Sequence, residues 1–223
     1  MIEDVIEINP FNKIEISFRE PVVLPKTIPI NVIESILVEA YSKLKSSETE
    51  YSKKTSVRDI AVLELLFATG ARVSEVCSLT PSSVNLDNHT VKFYGKGSKE
   101  RIIQIENLNV RKALNNYVNV FDEEIKASEY FFVNRLHNRL SEQSVREMIR
   151  KYTKLAEINI HITPHMFRHT FATLLLEEDV DIRYIQRLLG HSSITTTQIY
   201  THVAMSKQKE ILSAKHPRNK INI

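Results

Sequence analysis

The chain has 223 residues, 42% of them hydrophobic and 26% charged, with a net charge of +3 and one cysteine. That balance describes a soluble globular protein with room for one large domain or two small ones, and it excludes disulfide scaffolds, collagen-like chains and disordered chains. No apolar run approaches the roughly 18 residues of a membrane span, the first residues lack the basic and apolar regions of a secretory leader, and the lone Cys77 fits a reducing, cytoplasmic setting.

Four of the seven prolines (Pro10, Pro21, Pro25, Pro29) fall before residue 30, in a stretch without helical period. This reads as an extended linker or arm over 1–28. The stripe Ile33, Ile36, Leu37, Ala40, Tyr41, Leu44 predicts an amphipathic helix over 31–44, with Asn31 and Glu34 spaced as a capping pair. SSETEYSKKTS then reads as a polar loop. A mostly apolar helix over 57–69 ends at Gly70, and a short one over 72–79 is stopped by Pro81.

Residues 84–105 change character. NLDNHTVKFY and ERIIQI are β-type runs around the turn GKGSK and predict a small antiparallel sheet. Helices follow over 108–119 and 141–156, with a short strand, YFFV, between them. Thr163 and Pro164 open a helix that runs to about residue 176. Another spans 181–189 with Gly190 just past its end, and short helices are expected over 193–200 and 206–214. The expected fold class is α+β, mainly α.

Glycine is scarce: four in the whole chain, where average usage would supply roughly sixteen. The four mark three motifs. In TGARVSE, Gly70 ends a helix, and Arg72 and Glu75 lie three apart at the next helix start; an ordinary surface ion pair would look the same. In YGKGSKER, Gly95 and Gly97 flank Lys96 at a hairpin tip, where a lysine commonly does no more than aid solubility. The third is PHMFRHTFATLLLEEDVDIRYIQRLLGHSSITTTQIYTHV. There His165 and Arg168 share a face at a helix N-terminus, which suits an anionic phosphate group. His165 and His169 have the spacing of a zinc pair, but the glutamate of HExxH and a third ligand are missing, so no metal is expected.

Together these motifs, with LGHSS, IYTHV and the late HPR, resemble the tyrosine recombinase (phage integrase) family, closest to Xer-type enzymes, from about Pro25 to the tail. The resemblance implies the DNA breaking–rejoining catalytic fold over 29–223, without the separate N-terminal core-binding domain of most relatives. It implies Tyr200 as the nucleophile that becomes a 3′-phosphotyrosine, and Arg72 and Arg168 as clamps on the phosphate oxygens. Lys96 would be the general acid for the leaving 5′-hydroxyl, His165 an aid to proton transfer, His191 a hydrogen-bond donor to the phosphate, and Glu75 a support for Arg72. It further implies double-stranded DNA as partner, a tetramer on DNA assembled through the helix at 206–214, and no cofactor.

The chemistry of these residue types fits that reading. A tyrosine with a pKa near 10 needs a proton acceptor or a strong positive field to attack at neutral pH. Two planar guanidiniums match the equatorial oxygens of a phosphoryl transition state, and positioning and charge are what phosphoryl transfer chiefly needs. Exchange of one phosphate ester for another conserves the bond, in keeping with the lack of a GxxxxGK[ST] nucleotide loop. Outside the catalytic set, 135–154 carries six basic residues against two acidic ones. Arg139, Gln143 and Arg146, with Lys99, are candidates for DNA contact, although a solvated face fits equally well. The leading reading is a site-specific DNA recombinase acting in integration, excision or dimer resolution. The alternatives are a type IB topoisomerase and a non-catalytic or regulatory DNA-binding remnant.

Overall fold

The computed structural model describes residues 26–95 and 100–190. In chain order these form α1 (Ile30–Lys45), α2 (Glu50–Thr69), α3 (Val73–Cys77), a 3₁₀ turn (Pro81–Ser83), β1 (Val84–Asn85), β2 (Thr90–Tyr94) and β3 (Glu100–Gln104). They continue with α4 (Leu108–Val120), α5 (Asp122–Lys126), α6 (Glu142–Leu155), α7 (Pro164–Glu177) and α8 (Ile182–Leu189). The fold is mainly helical with one three-stranded antiparallel sheet in the order β1-β2-β3, as the sequence predicts.

Helix α2 is the axis. It packs on α1, α3, α4, α6 and α7, and Ile60 through Leu66 are all buried. A helix covered on every side needs no polar stripe, which is why this stretch reads as apolar rather than amphipathic. α2 also starts earlier than predicted. SSETEYSKKTS is not wholly loop: Thr49 accepts a hydrogen bond from the Ser52 N–H at 3.1 Å and caps a helix beginning at Glu50. The Asn31–Glu34 capping pair is not formed either, because Pro29 occupies the N-cap position of α1 and no side chain caps that end.

The predicted YFFV strand is a correction too. Of this segment only Val133 forms a bridge, to Arg139. The segment is fixed from the side instead, by the buried Tyr117 hydroxyl, which donates to the Phe131 carbonyl at 2.8 Å and accepts from the Val133 N–H at 3.2 Å. Tyr117 also stacks on Phe121 and meets Phe131 and Phe132 at 5.4 and 5.0 Å. A second polar tie joins α2 to α6. Asp59, 2% exposed, accepts hydrogen bonds from Arg58, Lys151 and the Tyr152 hydroxyl at 3.0–3.1 Å.

Two features of the architecture matter for function. The β2–β3 hairpin lies against α3 and α8. A separate small core (Ala172, Leu176, Ile185, Leu189) joins α7 to α8. Of the expected elements, the helices at 193–200 and 206–214 lie outside the described residues, as does most of the 1–28 arm. The end of that arm is docked: Ile28 is buried, and its N–H donates to the Thr170 hydroxyl on α7 at 2.7 Å.

Candidate active site

The site is built at the junction between α2 and α3. Gly70 ends α2 in the left-handed conformation, φ 57°. A Cβ there would lie 2.6 Å from Phe171 and 3.0 Å from Leu189, so this position demands glycine both for its backbone and for its neighbours. The turn leaves Arg72 at the N-cap of α3, half-buried, with Glu75 one helical turn on. The Glu75 carboxylate reaches back to accept the Arg72 N–H at 2.7 Å, the role of the third-position glutamate in a capping box. It also accepts from Arg72 Nη1 at 3.0 Å.

A third partner was not legible from the spacing. Arg101 on β3 donates from Nη1 and Nη2 to the two Glu75 oxygens, at 2.8 and 2.6 Å. Each carboxylate oxygen therefore accepts two hydrogen bonds. Burial alone would raise the Glu75 pKa, but the hydrogen bonds and charge of Arg101, then those of Arg72, outweigh it and hold the carboxyl below its usual value. Arg101 sits in the strand alternation with Ile103 and Ile105, both buried. A charge in phase with an inward-facing apolar row was the available sign that it has a buried partner.

Arg168 comes from the first turns of α7, in the helix that Thr163 and Pro164 open, though Thr163 makes no side-chain cap. It is 5% exposed. Its Nη1 donates to the Gly70 carbonyl and its Nη2 to the Leu189 carbonyl, both at 2.7 Å. One guanidinium thus fastens the end of α2, two residues before Arg72, to the end of α8, two residues before His191. Gly190 caps α8 with φ 66°, and a Cβ there would lie 3.2 Å from the Arg101 side chain.

His165 is exposed on the first turn of α7. His169, one turn on, is half-buried, and its pKa is lowered by burial and then by the neighbouring His165 and Arg168. Among the described residues no group of three or more potential metal ligands exists. Lys96, Lys99, His191 and Tyr200 lie outside the described residues. Arg139, Gln143 and Arg146 are exposed on or just before α6. Gln143 pairs with Glu147 and Arg146 with Glu142, each at 3.0 Å, the i,i+4 pairing of a solvated helix face.

The described geometry therefore joins the arginine of TGARVSE, the arginine of PHMFRHT and the glycine of LGHSS at one place. Comparison with known proteins bears on what that means. The sequence profile described as the phage integrase family matches residues 34–207. The chain belongs to that family.

Within the family the similarity is to the Xer recombinases. The chain is 57% identical over 216 residues to a tyrosine recombinase of Agathobacter rectalis, covering 97% of this chain and 71% of the relative. It is 39% identical over 223 residues to the XerC tyrosine recombinase of Bacillus subtilis, covering 98% and 70%. Among solved structures, the XerA recombinase superposes with a TM-score of 0.70 at 32% identity over 89% of this chain and 66% of that one. The XerH recombinase in its post-cleavage complex shares the fold, with a TM-score of 0.72 at 24% identity over 86% of this chain and 54% of that one. The chain is a Xer-like tyrosine recombinase catalytic domain, and it spans about two thirds or less of those two solved structures.

Proposed function

We propose that this recombinase domain cuts and rejoins strands of double-stranded DNA at a specific site through a phosphotyrosine intermediate. The observation that carries the reading is the Arg168–Gly70 hydrogen bond, which brings two motifs far apart in sequence to one junction. In the reaction, the Tyr200 oxygen attacks phosphorus and forms the 3′-phosphotyrosyl bond, while the bond to the 5′ oxygen breaks. Lys96 gives its proton to that leaving oxygen, and His165 assists proton transfer by taking up the phenol proton that Tyr200 releases. Arg72 and Arg168 match the negative oxygens of the transition state, and His191 donates a further hydrogen bond. Glu75 keeps Arg72 at the helix start. Rejoining runs the same steps backwards with a new 5′-hydroxyl.

DNA as the partner is supported by the relatives: XerH was solved bound to its difH substrate and λ integrase bound to a COC′ core site. λ integrase was also solved as a tetramer on a Holliday junction. By analogy the segment 206–214, which the sequence predicts to be helical, would link copies of this chain on DNA. Lys99, Arg139, Gln143 and Arg146 would touch the duplex, with binding that weakens steeply as salt rises. Among the described residues no helix is long and apolar enough to cross a membrane.

The test is covalent capture. The chain is incubated with nicked duplexes drawn from a random-sequence pool, and SDS-resistant protein–DNA adducts are isolated. Adducts with the unaltered chain and none with Tyr200→Phe are expected. No adduct from any duplex favours a DNA-binding remnant. Relaxation of supercoiled plasmid without site preference favours a topoisomerase.

A further inference from the structure

Arg101 has no role in the chemistry set out above, yet its side chain touches several parts of the junction. It donates twice to Glu75, the carboxylate that also holds Arg72. Its side chain lies against Gly190, whose neighbours are Leu189, the acceptor for Arg168, and His191. Its guanidinium carbon stands 4.9 Å from the centroid of the Phe93 ring, the residue opposite it in the β2–β3 register. It grows from β3, the strand that leaves the loop bearing Lys96. Its side chain is 8% exposed, and both of its terminal nitrogens donate to Glu75.

We infer that Arg101 is a positioning residue for strand cleavage: it fixes Glu75 so that Arg72 is held through one nitrogen and keeps the rest of its guanidinium for the scissile phosphate. The inference rests on the strand-cleavage reading. The physical argument is one of competition. A carboxylate facing a single arginine pairs with it through both oxygens, in the forked geometry the two groups favour. Such a pair would draw Arg72 onto Glu75 and neutralise it. With Arg101 taking one fork of the carboxylate, Arg72 contributes only Nη1 and its backbone N–H. Two arginines on one carboxylate also leave the cluster with a net positive charge beside the proposed phosphate site. The contact with Gly190 extends the same constraint to the end of α8, so the hairpin, the α3 start and the α8 end keep one register.

The test uses the full chain and a nicked duplex recovered by covalent capture from the random pool. Single-turnover adduct formation at saturating duplex, duplex affinity and thermal midpoint are measured for Arg101→Met, Arg101→Lys, Glu75→Gln and the double variant Arg101→Met/Glu75→Gln. A positioning role predicts a cleavage rate about 10- to 100-fold lower in Arg101→Met with duplex Kd changed less than about threefold. Arg101→Lys should recover part of the rate. The double variant should be no slower than the slower single variant, because both act through one unit.

An unchanged rate overturns the inference. So does a loss in Arg101→Met that multiplies with that of Glu75→Gln, or one that only follows the fall in affinity or thermal midpoint. Tungstate, a tetrahedral oxyanion, separates this inference from the reading beneath it. If the unaltered chain captures no duplex but binds tungstate at least tenfold more tightly than Arg101→Met does, the placement of Arg72 by Arg101 stands and the strand-cleavage reading falls. If neither adduct nor tungstate binding depends on Arg101, the inference falls.

Discussion

Glu64 and Glu75 are both buried, at 6% and 7% exposure, yet their surroundings drive their carboxyls in opposite directions. Glu64 lies on α2, beside a groove lined by Leu44, Val57, Lys112 and Asn116. Its described partner is the Tyr41 hydroxyl, which donates at 2.8 Å. Burial dominates there and raises the Glu64 pKa against that hydrogen bond, and the tyrosine is pushed up in turn by burial and by the carboxylate. Glu75 is as deeply buried but receives four hydrogen bonds, three from guanidiniums and one from a backbone N–H. Burial by itself does not decide whether a carboxylate is an asset. The groups built around it do.

The largest contrast is expected from neutralising each carboxylate. Glu75→Gln leaves the buried Arg101 without its countercharge and should destabilise the domain by about 3 kcal/mol, read by urea denaturation. Glu64→Gln keeps an acceptor for Tyr41 and removes the cost of a buried charge, so its effect at pH 7 should stay within about 1 kcal/mol. A large loss from Glu64→Gln would break the comparison.

Next in size is the backbone of the junction. Gly70→Ala combines a left-handed φ with a 2.6 Å approach to Phe171, and about 2 kcal/mol of destabilisation is expected. Gly190→Ala, where the contact is to the Arg101 side chain at 3.2 Å, should cost about 1 kcal/mol. Its cleavage rate should fall more than its stability does, which sharpens the link between Arg101 and the α8 end.

The pH dependence separates the two glutamates by sign. The folded pKa of Glu75 is depressed, so its stabilisation is complete above the unfolded value near 4.3 and is lost as pH falls through the folded value. For Glu64 the folded pKa is raised, so stability declines as pH rises from the unfolded value through the folded one. Stability measured from pH 3 to 8 should show a flatter acid limb in Glu75→Gln. In Glu64→Gln the decline above about pH 4.3 should vanish instead. The smallest effect concerns Cys77, whose thiol is buried and pushed up to about 11 by that burial. Thiol-specific reagents should label it only on unfolding.

Much of this molecule was legible in its sequence because local signals and tertiary roles coincide. The glycines after α2 and α8 each end a helix in the left-handed conformation, and the predicted turn lies between two strands that pair antiparallel. The hydrophobic periods of α1, α4 and α6 match their buried faces. What escaped has specific causes. The start of α2 was hidden because Thr49 caps a polar first turn that has no apolar stripe. YFFV looks like a strand by composition, but a tyrosine hydroxyl from α4 holds it in place of a neighbouring strand. At the candidate site, the motifs point to Arg72, Glu75 and Arg168, and the fold brings these three to one junction. Arg101 lies within one of those motifs with little local sign of its role, since its partners stand 26 residues away at Glu75 and past the end of α8 at Gly190. Side chains that act through long-range contacts leave only a faint local trace, here a charge in phase with Ile103 and Ile105.

The Ile28–Thr170 hydrogen bond has a mechanical consequence. Thr170 lies on α7 two residues after Arg168, and its own hydroxyl donates to the Met166 carbonyl in the preceding turn. Tension or torque carried along the chain into residue 28 therefore reaches not only α1, which begins at Ile30, but also the turns of α7 that carry His165 and Arg168. Residue 28 is thus coupled to α7 by a hydrogen bond as well as to α1 by the chain itself.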